Sequence, residues 1–126
     1  LEDLTGALAD DLVRMRDILA SATEDSAVII NEVFTSTCLE DAILLSTRML
    51  GEILDRGCPC VWVTFLDELT TLTESMVSMV GQVDPDDPAI RTFKVIRQPA
   101  DGMAYAEAIA HKHGLTYPSL KARLAR

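Results

Sequence analysis

Apolar residues recur along the chain with two different periods. Over about residues 7–22, Leu8, Leu12, Met15 and Leu19 follow at spacings of four, three and four, with Asp10, Asp11, Arg14 and Asp17 off that line. This is one apolar stripe on a helix. Ala27–Ile30 is an unbroken apolar run, rich in β-branched residues and bounded by polar clusters, and it reads as a buried parallel strand. Leu39, Ile43, Met49, Leu50, Ile53 and Leu54 predict a long helix over about residues 39–56, with Gly57 just past its end. Cys60–Thr64 is the next strand, again apolar on both faces. Strand, helix and strand of these lengths predict a right-handed βαβ unit in a parallel sheet.

Residues 75–83 and 90–96 alternate apolar and polar positions, and Asp84-Pro-Asp-Asp-Pro88 between them predicts a hairpin. A helix over about residues 102–113 stops at Gly114, and a short one follows over about 117–125. The expected fold class is therefore α/β: a small, mainly parallel sheet flanked by helices, with an antiparallel hairpin. Residues 1–126 are expected to form one domain.

Composition narrows the function. The chain carries 20 acidic and 11 basic residues, a formal charge of −9, so bulk electrostatics oppose binding to a nucleic-acid backbone. No apolar run is long enough to span a bilayer, which predicts a protein that does not enter the membrane. Cys38, Cys58 and Cys60 are an odd number with no disulfide framework, and a reducing cytoplasm is expected. Cys58 and Cys60 supply too few donors for a metal on their own. His111 and His113, two apart on a helix, point to different sides and read as a solvated helix end. Trp62 reads as core, Tyr105 as a helix-packing aromatic, and Glu52 with Arg56 as a surface i,i+4 pair. The chain opens at Leu1 in charged, helix-like sequence, and reads as a piece of a longer polypeptide.

The candidate chemistry sits where the first strand ends. Ligands of open parallel sheets bind beyond the carboxyl ends of the strands. Here the strand ends in Asn31-Glu32 and runs into Thr35-Ser36-Thr37. An apolar strand closing on an acidic residue has the form of a Walker B strand, whose carboxylates hold Mg²⁺ and orient the water that attacks a γ-phosphate. The plain alternative is a strand terminus with Thr37 as N-cap of the next helix. Lys94, Lys112 and Lys121 all lack the glycine-rich context of a phosphate loop.

Residues 27–42, Ala-Val-Ile-Ile-Asn-Glu-Val-Phe-Thr-Ser-Thr-Cys-Leu-Glu-Asp-Ala, resemble the Walker B and D-loop stretch of the MutS family of mismatch-repair ATPases. That family runs D-E-[LI]-G-R-G-T-S-T-x-D-G after an apolar strand. Glu32, Thr37 and Asp41 match; Asn31 replaces the aspartate, and Phe34-Thr-Ser36 replaces G-R-G. Val63-Thr-Phe-Leu-Asp-Glu-Leu69 resembles A-T-H-Y-x-E-L, with Phe65 at the histidine. Residues 94–106 resemble the late strand and the G-x-[AS]-x-x-S-Y-G segment, and Leu4-Thr-Gly-Ala-Leu8 stands where the signature loop leads into its helix.

The resemblance implies the C-terminal part of an ABC-type P-loop ATPase domain that closes as a head-to-tail homodimer over ATP and Mg²⁺. It implies Glu32 as general base, Asn31 as a weak Mg²⁺-side residue acting through water, and Thr5, Gly6, Thr37 and Asp41 as nucleotide contacts made across the dimer. DNA would be contacted by other domains of the parent. Without a phosphate loop the piece is expected to be inactive alone, to leave apolar sheet surface uncovered and to self-associate through it. A degenerate dimerisation module without hydrolysis is the alternative that Asn31 and Phe65 favour. An unrelated doubly wound domain of receiver or flavodoxin type is a third reading.

Overall fold

The structure is a computed structural model that describes residues 6–102 and 105–124. The chain divides into two compact units, Leu1–Leu72 and Thr73–Arg126.

In the first unit, helix α1 (Ala7–Ser21) precedes strand β1 (Val28–Asn31), helix α2 (Leu39–Asp55) and strand β2 (Cys60–Val63), with a 3₁₀ turn at Asp67–Thr71. β1 and β2 pair in parallel, Val28 with Cys60, Ile29 with Val61, Ile30 with Trp62 and Asn31 with Val63. The predicted strand–helix–strand unit is present, each boundary within one or two residues of the sequence reading. The 3₁₀ turn has no periodic signal in the sequence.

Alternation along the strands decides what the sheet does. Val28 and Ile30 face the core, with Cys60 and Trp62 beside them, while Phe34, Ile53, Leu66 and Leu69 complete the buried cluster. Complete burial of side chains such as Ile53 and Phe34 contributes about 1.5–3 kcal/mol each. The other face is bare: Ile29 is 77% exposed, Val61 61% and Val63 50%. The uncovered apolar surface expected from the sequence is therefore this sheet face.

α1 contributes Met15 to the core, with Leu8, Ile18 and Leu19 packed against it. Leu12, predicted to lie in the same stripe, is instead 40% exposed, and Ile18 takes its place one position from Leu19. α2 ends as read. Gly57 takes φ +69, its N–H reaching the Leu54 carbonyl at 2.9 Å while the Cys58 N–H reaches that of Ile53 at 3.4 Å. This pair of bonds is a Schellman closure, and the positive φ is why glycine stands there. Arg56 reaches the Glu52 carboxylate at 2.8 Å, the expected i,i+4 pair.

The second unit holds β3 (Met79–Val83), β4 (Arg91–Arg97), α3 (Ala106–Lys112) and α4 (Tyr117–Leu124). β3 and β4 form the predicted antiparallel hairpin as a sheet of their own, with a bulge between Gly81 and Val83. Asp84 shapes its loop, the carboxylate accepting the N–H groups of Asp86 at 2.8 Å and Asp87 at 3.3 Å. α3 is shorter than the helix expected over about 102–113, and Gly114 at φ +65 ends it. No described residue of this unit is fully buried. The architecture is thus α/β, with one small parallel and one small antiparallel sheet.

Candidate functional site

Because β1 and β2 run in parallel, their carboxyl ends lie at one end of the sheet, and Asn31, Glu32, Thr64 and Phe65 gather there. Asn31 is the last residue of β1, opposite Val63, and is exposed on the face away from the core. Glu32 follows, also exposed, and its N–H donates to the Val63 carbonyl at 2.9 Å. The ladder thus continues one residue past the strand and fixes the base of the Glu32 side chain.

The chain then turns through an unusual backbone. Glu32 has φ 49 and Phe34 φ 61, both left-handed, a region costly for residues bearing a Cβ. Two features hold the turn. The Phe34 ring is wholly buried in the core of the first unit. Its N–H donates to Asp11 Oδ2 of α1 at 3.0 Å, across 23 positions of sequence. In the D-E-[LI]-G-R-G pattern Phe34 falls on the first glycine, so the structure gives a physical sense to that position: its φ is one glycine adopts freely. This chain fills it with an aromatic that packs instead.

Beyond the turn, Thr37 Oγ1 lies 3.4 Å from Asp41 Oδ2 and donates a long hydrogen bond to it. Cys38, not Thr37, is the N-cap of α2, and makes no side-chain cap bond. Thr37 is one residue too early, so its hydroxyl turns to Asp41 rather than to the helix N–H groups. Glu40 and Asp41 occupy the first turn of α2, where negative charge suits the helix dipole. Gly6 is the exposed N-cap of α1, extended at φ −73 and ψ 160, with its carbonyl accepting the Asp10 N–H at 3.1 Å. Thr5 lies outside the described residues.

At the end of β2, the Thr64 hydroxyl accepts the Leu66 N–H at 3.0 Å, which turns Phe65 outward to 59% exposure. A half-buried Cys60 begins the same strand, where burial, and then the nearby Cys58, push its thiol pKa above the ordinary value. Cys58 itself is buried and donates to the Thr23 carbonyl at 3.1 Å. Among the described residues no group of three or more His, Cys, Asp or Glu side chains is placed to hold a metal ion. A shallow groove lined by Ile18, Ala22, Ser26 and Val28 lies at the opposite, amino end of β1, away from Glu32.

The structure thus brings Asn31 and Glu32 to one sheet end with Phe65. Among the described residues no hydrogen bond joins Gly6, Thr37 or Asp41 to them. Two contributors were not legible in the sequence. Asp11 is one of several acids on the polar side of α1, and only the fold selects it. Phe34 carries a clue in standing where the MutS pattern has glycine.

Known proteins give the decisive comparison. The chain is 34% identical over 107 residues to the DNA mismatch repair protein MutS of Thermotoga petrophila, covering 79% of this chain and 14% of that protein. The MutS of Thermotoga maritima is 32% identical over the same share. The chain is MutS-like. Endonuclease MutS2 of Thermus thermophilus extends the similarity to 96% of this chain at 29% identity, covering 16% of that protein. The MutS-like chain therefore spans about a seventh of the length of the curated relatives it matches. No protein-family model matches it. No helix among its described residues is long and apolar enough to cross a membrane.

Proposed function

We propose that this MutS-like chain is the C-terminal part of an ATP-binding and hydrolysing domain, in a protein that acts on mismatched or otherwise distorted DNA. The observation that carries the reading is Glu32. It stands exposed one residue beyond an apolar parallel strand, its own N–H still tied to β2. A carboxylate so placed serves as general base, taking a proton from the water that attacks the γ-phosphate. Glu32 can do this only if the nucleotide is delivered to that end of the sheet, and nothing in residues 17–47 offers a cation to hold it, since no lysine or arginine lies between Arg16 and Arg48.

The family reading calls for Mg²⁺ at this end of the sheet. Asn31 offers one neutral carbonyl oxygen and no charge, which suits a water of the ion's shell and not the ion itself. Among the described residues no cluster of acidic or imidazole donors stands beside Asn31 to complete a Mg²⁺ shell. Phosphate-binding and metal-binding groups are assigned to other parts of the parent polypeptide, which makes the isolated chain inactive. The bare sheet face of Ile29, Val61 and Val63 supports the same reading, as a surface that further polypeptide covers.

In the head-to-tail homodimer that the reading entails, Thr5 and Gly6, just before α1 in the sequence, face the partner's nucleotide, where the helix dipole favours an anion. On this reading Thr37, just before α2, and Asp41, in its first turn, lie where the two subunits meet. DNA is met by other domains. The reading places the protein in the cytoplasm.

A second reading rests on Asn31 and the exposed Phe65: a dimerisation module that has lost hydrolysis. One experiment separates the two. ATP turnover of the full-length protein is compared with that of Glu32→Gln, which keeps the side chain's shape and removes its basicity. A loss of about 10²-fold or more supports the general base. Equal rates leave the dimerisation module.

A further inference from the structure

We propose that Asp11 is a positioning residue for Glu32, coupling the amino-terminal turns of α1 to the turn that presents the base. The proposal rests on the catalytic reading of Glu32 above. The geometry behind it stands independently.

Glu32 and Phe34 are two residues apart, both in left-handed conformation, and each has its N–H anchored to a different element. Glu32 is tied to β2 through the Val63 carbonyl at 2.9 Å, and Phe34 to α1 through Asp11 Oδ2 at 3.0 Å. A turn with two costly φ values relaxes unless the surroundings hold it. Burial of the Phe34 ring supplies one restraint, but a buried ring leaves the peptide before it free to rotate. The Asp11 bond removes that freedom, since it fixes the N–H direction of the Val33–Phe34 peptide.

A carboxylate acceptor makes this a charge-assisted bond, stronger than one between neutral groups. Among the described residues it is the bond that ties the backbone of Phe34 to a side chain of another element. Asp11 lies in the second turn of α1, five residues from the Gly6 cap. A shift of that helix end, such as a ligand or a partner subunit would impose, moves the Asp11 carboxylate and with it the turn behind Glu32. Asp11 touches no reacting atom in this scheme; it acts through the Phe34 peptide.

The test uses two variants. Asp11→Ala removes the acceptor, and Asp11→Asn keeps a carbonyl oxygen for the same N–H. In the 126-residue chain, amide hydrogen exchange at Phe34 is expected to quicken by about tenfold or more in Asp11→Ala. Exchange at Val28, whose N–H is held by the Pro59 carbonyl at 2.9 Å, should stay as in the parent, which separates local opening from loss of the fold. Asp11→Asn should restore most of the protection. In the full-length protein, Asp11→Ala should lower kcat for ATP by about tenfold with KM little changed, and Asp11→Asn should recover it.

Unchanged protection at Phe34 in Asp11→Ala overturns the clamp, whatever the turnover. An opened Phe34 amide with unchanged kcat, in a protein that Glu32→Gln inactivates, overturns the positioning role and leaves the catalytic reading intact. Equal turnover in Glu32→Gln and the parent overturns the catalytic reading, and the positioning role with it.

Discussion

Phe34 offers the sharpest test of the physical reasoning, because two opposed effects meet at one residue. Its ring is completely buried, and its backbone has φ 61. Truncating a buried phenylalanine to alanine costs about 3–5 kcal/mol in lost transfer energy and cavity. Phe34→Ala should lose that amount and keep the left-handed strain, because alanine carries a Cβ. Phe34→Gly loses the same ring but releases about 1–2 kcal/mol of strain. Glycine's extra freedom in the unfolded chain takes back about 0.4–1 kcal/mol. Phe34→Gly should thus be the more stable of the two by roughly 1 kcal/mol, though still about 2–4 kcal/mol below the parent. Elsewhere in an ordered segment alanine is the better residue, so the order itself is diagnostic. Urea unfolding followed by the fluorescence of Trp62, the one tryptophan and packed against the same core, reads both values. Phe34→Ala as stable as Phe34→Gly would refute the left-handed assignment. A loss below about 1 kcal/mol in both would refute the burial.

Other consequences follow from single groups. Ser46 is fully buried in α2 and its hydroxyl has no hydrogen-bond partner among the described residues, so Ser46→Ala should raise stability by about 1 kcal/mol in the same unfolding assay. Burial and Cys58 raise the Cys60 pKa, which keeps the protonated thiol dominant to higher pH; its alkylation by iodoacetamide, followed by peptide mass spectrometry, should set in at higher pH than that of a small free thiol measured alongside. Ile29, Val61 and Val63 form a bare apolar strip, so the isolated chain should self-associate with rising concentration, and Val61→Lys should abolish this in sedimentation without lowering the unfolding midpoint.

How far the sequence reveals this fold differs by element. The βαβ unit was legible because its strands are short apolar runs and α2 carries its own stop signal at Gly57. Both are local, and local signals survive without knowledge of the tertiary structure. The identity of the α1 face was only partly legible. Leu12 and Ile18 are equally apolar, and which one meets the core depends on the angle at which α1 lies on α2, a tertiary property. The hairpin was legible from its Asp-Pro turn, whereas its separation as a sheet of its own was not, since strand pairing is a long-range choice. At the candidate site, the position of Glu32 just past the strand was readable, because an acid at a strand end breaks an apolar pattern. The means of holding it was not: left-handed φ at Glu32 leaves no mark in the sequence, and at Phe34 the mark is only that the MutS pattern has glycine there. Asp11 shows the same limit: a polar residue on the solvent side of a helix becomes specific only when a turn folds over it.

Charge then decides what the site needs from elsewhere. Residues 1–72 contain fourteen acidic and four basic residues, and residues 73–126 contain six and seven. Every acid read into the candidate site, Asp11, Glu32 and Asp41, falls within the strongly negative first unit. An exposed carboxylate in such a field repels a triphosphate, and the positive end of the α2 dipole is already offset by Glu40 and Asp41 in its first turn. On the proposed reading this is not a defect. A general base gains from being unpaired by local cations, because an adjacent lysine or arginine would stabilise its charge and weaken it as a proton acceptor. The cations that hold the phosphates then have to arrive with the nucleotide, from other parts of the polypeptide or from a second subunit. On that reading, separating the base from the phosphate-holding charges would make turnover conditional on assembly, and the two anchors, the Val63 carbonyl and the Asp11 carboxylate, would set where Glu32 stands when assembly occurs.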